Sequence, residues 1–252
     1  MRYLLLSDIH SNDQALSAVM ARVKRKRYDR VVCLGDFVGY AADPNKILDR
    51  FRTFPKAAVC IRGNHDKVVA GQDAGEMFNP PALFAARWTA ERLSTENVEF
   101  LKRLPLGPVV VDDLFVACHG SPLDEDAYIF SDFDASMNFV HMNRFAPGVD
   151  VCFFGHSHIP SVFTLEPDGI RVEAVRGSRA KLTLERGKKY LVNPGSVGQP
   201  RDRNPRASYA IFDSDARVVH FDRVAYDVKS ARKKVLQAGL PPMLGDRLVL
   251  GL

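Results

Sequence analysis

Short, nearly unbroken apolar runs recur at 2–6, 30–34, 57–61, 114–118 and 149–154, and each closes within two residues on Gly or Asp. Runs rich in Val, Ile, Leu and Phe without polar alternation suit strands buried on both faces. A helical period follows the first of them. Over 12–27 it puts Ala15, Leu16, Val19 and Val23 on one face. Helices are also expected at 44–51 and from 66 to 71. Strands alternating with helices argue an α/β fold with at least one largely parallel sheet. The stretch 78–104 is helical in pattern, with Pro80-Pro81 at its start, Pro105 after its end and a break at Ser94-Thr95-Glu96. The segment 76–105 is therefore either a packed helical pair or a cap beside a site.

The later part changes period. Runs at 161–165, 170–175, 188–192, 208–213 and 218–221 read as short strands with turns at Pro167-Asp168-Gly169 and Asp213-Ser214-Asp215. They predict a second, mixed or antiparallel sheet packed on the first. An amphipathic helix is expected at 228–239, and Leu248, Val249, Leu250 and Leu252 form either a partner surface or a docked tail. Nothing resembles a linker, so 1–252 reads as one domain.

Composition adds little to the fold and something to the function. Of 252 residues 46% are hydrophobic and 26% charged, an ordinary globular balance. The apolar start is too short for a signal peptide, and no run approaches a membrane span, so a cytoplasmic location is expected. The net charge of +5 suits an anionic substrate. Its densest part, Arg22, Lys24, Arg25, Lys26, Arg27 and Arg30, is expected to be the solvated end of the first helix. Cys33, Cys60, Cys118 and Cys152 show no C-x-x-C spacing and read as reduced core thiols. Each lies one to four residues before a polar motif, so those motifs follow buried strands.

Five such motifs occur in order: D-I-H (Asp8, His10), G-D (Asp36), G-N-H-D (Asn64, His65, Asp66), H-G (His119) and G-H-S-H (His156, His158). Carboxyl ends of strands in an open α/β sheet converge on one crevice, so these side chains should meet. Strand alternation would put Asp8 and His10 on one side of an extended segment, and likewise His156 and His158. Imidazole with carboxylate suits borderline divalent ions such as Mn, Fe, Zn, Co or Ni. Each motif alone is weak. The ordered set, holding five of the seven histidines, is hard to explain as core packing. His141 and His220 fall outside it.

The ordered set resembles the calcineurin-like metallophosphoesterase superfamily. The likeness continues in N-P-G-S-V-G-Q-P-R (193–201) and G-D-F-V-G-Y-A-A-D-P-N (35–45), which resemble its bacterial and archaeal phosphodiesterase and diadenosine-tetraphosphatase-like branch. Ala41-Ala42 stands where that branch more often has Gly-Pro. The resemblance implies a four-layer αββα sandwich of two mixed sheets with a dinuclear metal site at the strand ends. It implies Asp8, His10, Asp36 and His158 around one ion and Asp36, Asn64, His119 and His156 around the other. His65 would be catalytic, facing the phosphoryl group, with Asp66 orienting it.

The expected activity is hydrolysis of a phosphate ester or phosphoanhydride by attack of a hydroxide shared by two divalent ions, with manganese among the candidate metals. His65 would protonate the leaving oxygen. Asn64, Arg62 and Arg201 are candidates to contact substrate phosphate, and Arg201 could clamp a second one; Tyr40 and Lys67 are weaker candidates. A phosphorylated small molecule or nucleotide is favoured as substrate over nucleic acid, because no added DNA-binding motif or aromatic-basic stripe occurs. The competing readings are a nuclease with the same metal core, a protein phosphatase, and a metal-poor interaction scaffold like the retromer subunit of this fold. The intact motif set speaks against the last. A homo-oligomer is compatible with the sequence.

Overall fold

The apolar runs become strands whose faces are both covered. The computed structural model describes residues 1–54 and 58–252. Its first part runs β1 (Arg2–Leu6), α1 (Asp13–Val23), β2 (Arg30–Cys33), α2 (Pro44–Arg52), β3 (Ala58–Cys60), α3 (Asn64–Val69), α4 (Pro80–Ala90) and α5 (Thr95–Lys102). The middle adds β4 (Val109–Val111), β5 (Phe115–Ala117), α6 (Asp132–Phe145) and β6 (Val151–Phe153). The last part is β7 (Ser161–Glu166), β8 (Gly169–Ala174), β9 (Arg179–Thr183), β10 (Lys189–Asn193), β11 (Ala207–Asp213), β12 (Val218–Val224), α7 (Val228–Gln237) and α8 (Pro242–Leu250). Of the strand expected at 57–61, Ala57 lies outside the described residues.

Among the described residues the strands form two six-stranded mixed sheets, ordered β3-β2-β1-β11-β12-β9 and β4-β5-β6-β10-β7-β8. The sheets do not divide the chain into an early and a late half. β1, β2 and β3 pair in parallel and β11 joins β1 antiparallel, while β10 lies parallel to β6. Between the sheets pack Tyr3, Leu5, Val32 and Phe212 from one and Phe115, Phe153 and Val192 from the other. Tyr3 meets Phe115 edge to face at 5.0 Å, a geometry worth about 0.5–1.5 kcal/mol beyond area. The outer face of the first sheet is covered by Leu16, Val19 and Val23 of α1 and Ile47 and Leu48 of α2. α6 covers the second through Ala135, Phe139 and Met142. The result is the expected αββα sandwich.

Several local expectations shift. α1 ends at Val23, so Arg22 lies on its last turn, Lys24 is its C-cap and the rest of the basic run lies beyond the helix. Three of its members are engaged: Lys26 donates to Asp222 at 2.6 Å, Arg22 pairs with Asp222 at 3.7 Å and Arg30 pairs with Asp112. The break at Ser94 is an N-cap whose hydroxyl accepts from the Asn97 amide. α4 packs through Ala82 and Ala85 on Ala231, Val235, Leu244 and Leu248, so the chain end is a docked helix. Leu248 is buried there, while Val249, Leu250 and Leu252 remain exposed. All four cysteines are free. No helix among the described residues is long and apolar enough to cross a membrane.

Candidate metal centre

The motifs lie on loops at the ends of β1, β2, β3, β5 and β6, and hydrogen bonds between the loops bring them together. The amides of Asp8, Ile9, His10 and Ser11 donate to the carbonyls of Gly35, Asp36, Asp36 and Phe37 at 2.8–3.1 Å. Asp36 Oδ1 accepts from the His65 amide at 2.9 Å. The Asp8 carboxylate accepts from the His156 amide at 3.1 Å. The 193–201 segment does more than return the chain. Asn193 donates to the Gly155 carbonyl at 2.7 Å and Ser196 to the Asp8 carbonyl at 2.8 Å, bracing two motif loops.

Asp8, His10, Asp36, His156 and His158 are not extended. Their φ values are +53°, +48°, +55°, +62° and +61°, in the left-handed region. That overturns the expectation that strand alternation aligns D-x-H and H-S-H. Each such residue costs of order 1–3 kcal/mol and persists only where its surroundings fix it, a pattern typical of functional sites.

One ligating atom each from Asp8, His10, Asp36 and His158 lies within 4.8 Å of the others, and so do atoms from Asp36, His119 and His156. Asp36 belongs to both groups. Its Oδ2 is 3.4 Å from His10 Nε2 and 3.5 Å from His119 Nε2. Asn64 Oδ1 sits 3.1 Å from His119 Nε2. All seven predicted metal residues are thus gathered.

The donor chemistry tests whether a cation fits. Nδ1 of His10 contacts the Val38 carbonyl at 2.9 Å and Nδ1 of His158 contacts that of Gln199 at 2.6 Å. A carbonyl only accepts, so each Nδ1 carries the proton and each Nε2 presents a lone pair. Burial holds both imidazoles well below their ordinary pKa, so both are neutral. Their Nε2 atoms nevertheless face each other at 3.1 Å. Two acceptors at that distance have no proton to share, and Asp8 Oδ2 beside them is buried without a partner. A divalent ion satisfies all three, and the carbonyl contacts are the orienting bonds that metal-bound histidines use.

The field around Asp36 points the same way. Burial raises the Asp36 carboxyl, but His119, His65 and His10 outweigh it and leave it well below its ordinary value. Burial lowers His119, yet Asp36 and Asp8 push it up to about 10. A pocket that draws a proton onto a buried imidazole favours positive charge at that point.

His65 packs among Tyr40, Phe78 and His10 at centroid distances of 4.4, 4.4 and 4.9 Å, tilted against the first two and edge-on to the third. Burial, the largest effect, takes it down to about 4. Asp66 does not orient the His65 ring. It accepts from the amides of Asp36, Gly63 and Val38 and so braces the loop backbone. Arg62 does not line the cavity; it forks onto Glu125 at 3.2 Å and reaches Gln72. Lys67 is held by Asp126 and Glu125. Arg201 does line the cavity of about 350 Å³, with Asp36, Asn64, His65, His156 and His158. His141 and His220 lie away from it, on α6 and β12.

The sequence reading missed part of the wall. Tyr128 stacks on His156 at 4.0 Å, and Met77 and Phe78 enter from the loop before α4. An aromatic in an irregular loop carries no periodic signal.

Residues 1–217 match the family model of the calcineurin-like phosphoesterase superfamily domain. The chain belongs to that superfamily. The protein MJ0912 of Methanocaldococcus jannaschii is 38% identical over 254 residues, covering 98% of this chain and 97% of its own. The crystal structure of a metallophosphoesterase from Sphaerobacter thermophilus superposes with a TM-score of 0.84 at 35% identity, covering 100% of this chain and 99% of that one. The protein PH1004 of Pyrococcus horikoshii OT3 shares the fold, with a TM-score of 0.80 at 20% identity and coverage of 100% and 98%. Within the superfamily fold, the buried Asp and His groups of this chain are able to hold metal.

Proposed function

We propose that this member of the superfamily is a phosphoesterase dependent on two divalent ions, hydrolysing a phosphate ester or phosphoanhydride of a small molecule or nucleotide. The observation that carries the proposal is the pair of neutral imidazoles, His10 and His158, with facing Nε2 atoms 3.1 Å apart beside the carboxylates of Asp8 and Asp36. Asp8, His10, Asp36 and His158 would hold one ion, and Asp36, Asn64, His119 and His156 the other. When bound, such ions supply Lewis-acid polarisation of a phosphoryl oxygen and acidify water.

The remaining work falls to the chain. Arg201 lines the cavity and offers a fork that matches phosphoryl oxygens. Tyr40 and Phe78 enclose His65 and keep water from it. His65 Nδ1 is buried without a partner, pressed where a Cβ on Gly39 would come within 2.5 Å. Nε2 is therefore the atom left to meet a leaving-group oxygen. The ring is neutral in the free protein, and an incoming phosphoryl anion raises its affinity for the proton it then delivers. The segment 76–105 acts as a wall of the site, since Met77, Phe78, Asn79 and Ala82 line the cavity.

The test is metal content together with phosphate release from a panel of monoesters, diesters, nucleotides and single-stranded DNA, with Mn, Ni, Co, Zn or Mg added. Stoichiometric metal and turnover of small phosphoesters are expected. A protein that takes up none of these ions and releases no phosphate would refute the proposal; preferential cleavage of DNA would make it a nuclease instead.

A further inference from the structure

The outer face of the first sheet is only partly roofed. α1 covers Tyr209 and Ile211 of β11. The next positions across that face are Asp222 and His220 of β12, and beyond them Arg179 and Lys181 of β9. Directly paired residues of antiparallel strands share a face. The rows Tyr209-Asp222-Arg179 and Ile211-His220-Lys181 therefore run from beside α1 to the open edge of the sheet. The loop after α1 walls the other side. It is pinned at Asp29, whose amide donates to the Arg2 carbonyl and whose carboxylate accepts from the Arg2 amide, both at 2.7 Å.

Together these parts enclose an open basin of about 740 Å³. Of the eleven described residues that line it, six are Arg or Lys: Arg2, Arg25, Lys26, Arg27, Arg179 and Lys181. Asp222 is the one carboxylate among the eleven. Six cations against one carboxylate is an excess equal to the net charge of +5 on the whole chain. Among the described residues none lines both this basin and the metal cavity. β1, about 16 Å long, separates Arg2 at its start from Asp8 beyond its end.

Asp222 does not neutralise the wall. It already receives Lys26 at 2.6 Å, with Arg22 and Arg179 at 3.7 and 3.8 Å. Arg2 lies 3.4 Å from Asp213. Arg25, Arg27 and Lys181 are exposed, and none has a carboxylate partner among the described residues. His220, in the floor, registers the field. Burial, then the charges of Arg2, Lys181 and Lys26, hold its imidazole below the ordinary value although Asp213 pulls the other way.

A solvated basic surface accounts for single exposed cations. It does not account for cations from three separate stretches of chain facing into one concavity, where each repels the others. The width of the basin says what kind of anion relieves that repulsion. β11 and β12 lie between β1 and β9, so Arg2 and Lys181 stand on strands about 14 Å apart. A single phosphate ion reaches one wall; a chain of phosphates gives both walls a partner. Phe221 packs into the core between the sheets, so no exposed aromatic side chain of Phe, Tyr or Trp lines the basin on which a base could stack. The lining thus matches phosphates without bases.

We propose that this basin binds an oligophosphate, a chain of several linked phosphates, at a site separate from the metal centre, with Arg25, Arg27 and Lys181 supplying the contacts. The inference goes beyond the phosphoesterase reading and does not rest on it, since binding is measured without turnover.

The experiment is calorimetric titration of the full chain with tripolyphosphate and with orthophosphate, in about 0.1 M salt and without added metal. Tripolyphosphate should bind at least about tenfold more tightly than orthophosphate. The triple variant Arg25→Gln, Arg27→Gln, Lys181→Gln should weaken tripolyphosphate binding about thirtyfold, at about threefold for each exposed charge contact. A second triple variant, Arg87→Gln, Arg103→Gln, Arg144→Gln, removes the same charge from exposed residues outside the basin and should lose less than about threefold. The imidazole NMR resonances of His220 should move as tripolyphosphate is added. No binding by the wild type, no preference over orthophosphate, equal losses in the two variants, or unmoved His220 resonances overturn the proposal. Tighter binding of a thymidine hexanucleotide of similar charge would make the occupant a nucleic acid and overturn it as well.

Discussion

Asp36→Asn tests the site at the point its two halves share. The carboxyl is buried, and its Oδ2 stands 3.4 and 3.5 Å from the Nε2 atoms of His10 and His119, one from each group of candidate ligands. Asn keeps the shape and an Oδ1 to accept from the His65 amide, so the loop retains its hydrogen bond and loses only the charge. A unit charge about 4 Å from another is worth about 4 kcal/mol at an effective dielectric of about 20. The variant should therefore bind each ion about a thousandfold more weakly.

Thermal melting reads this without turnover. An ion present at about a thousand times its Kd adds about 4 kcal/mol to stability. For a chain of this size each kcal/mol moves Tm by about 2–4 °C, so an ion at that concentration raises the wild-type Tm by roughly 8–16 °C. Asp36→Asn should melt near the wild type in EDTA and lose most of the metal-induced rise at the same concentration. Undiminished metal content and an undiminished rise in Tm would show that Asp36 bridges nothing.

Three further outcomes follow from the geometry. His65→Ala should retain metal and lose about 10²–10⁴-fold in rate on an alkoxide leaving group but much less on p-nitrophenolate, which hardly needs a proton; equal losses on both, measured as kcat, remove the acid role. Gly39 has φ +94°, and a Cβ there would press on His65 Nδ1. Gly39→Ala should therefore lower stability by about 1–3 kcal/mol and shift the His65 resonances in NMR, and an unchanged spectrum contradicts the contact. Asp222 supplies a pH dependence remote from the site. Burial raises its carboxyl, but the hydrogen bonds from Lys26 and Tyr209 and the Arg22 charge outweigh burial and leave it below its ordinary value. The folded value being the lower one, the stabilisation is present above the ordinary carboxylate range and is lost as pH falls through the depressed value. Asp222→Asn should cost about 1–3 kcal/mol near neutrality and almost nothing in strong acid, by urea titration; a gap independent of pH excludes the charge as its cause.

The gathering of the candidate metal residues was legible because chemistry and order are properties of the chain itself. Asp8, His10, Asp36, Asn64, His119, His156 and His158 each follow a buried strand, and strands that must lie in a sheet bring their ends together. Features that depend on what packs against what were not legible. β9 was missed because Arg179 and Lys181 make it look like a loop; it is an exposed edge strand on β12. The interleaving of late strands β11 and β12 into the first sheet depends on the partner each finds, which no local pattern encodes. Arg247 stood in a tail read for its leucines, and only the docking of α8 onto the backbone at 203–204 brings it near Tyr40.

The left-handed backbone at five of the candidate ligand positions shows why residues expected to gather do so with a different local geometry. Glycine would adopt those angles without cost, but glycine has no side chain to offer a metal. Asp8, His10, Asp36, His156 and His158 must therefore carry their side chains through an unfavourable conformation. What holds them there is hydrogen bonding between loops: four amides of residues 8–11 donate into 35–37, and the Asn193 and Ser196 side chains donate to the Gly155 and Asp8 carbonyls. Most of these loop-to-loop hydrogen bonds use no ligand side chain; the Asp8 and Asp36 carboxylates, which accept from the His156 and His65 amides, are exceptions, and an Asn at 36 keeps its acceptor. For that reason replacing a ligating group, as in Asp36→Asn, should empty the centre while leaving the fold standing. Cutting a brace such as Asn193→Ala should do the reverse, loosening the His156 loop although every ligand is still present.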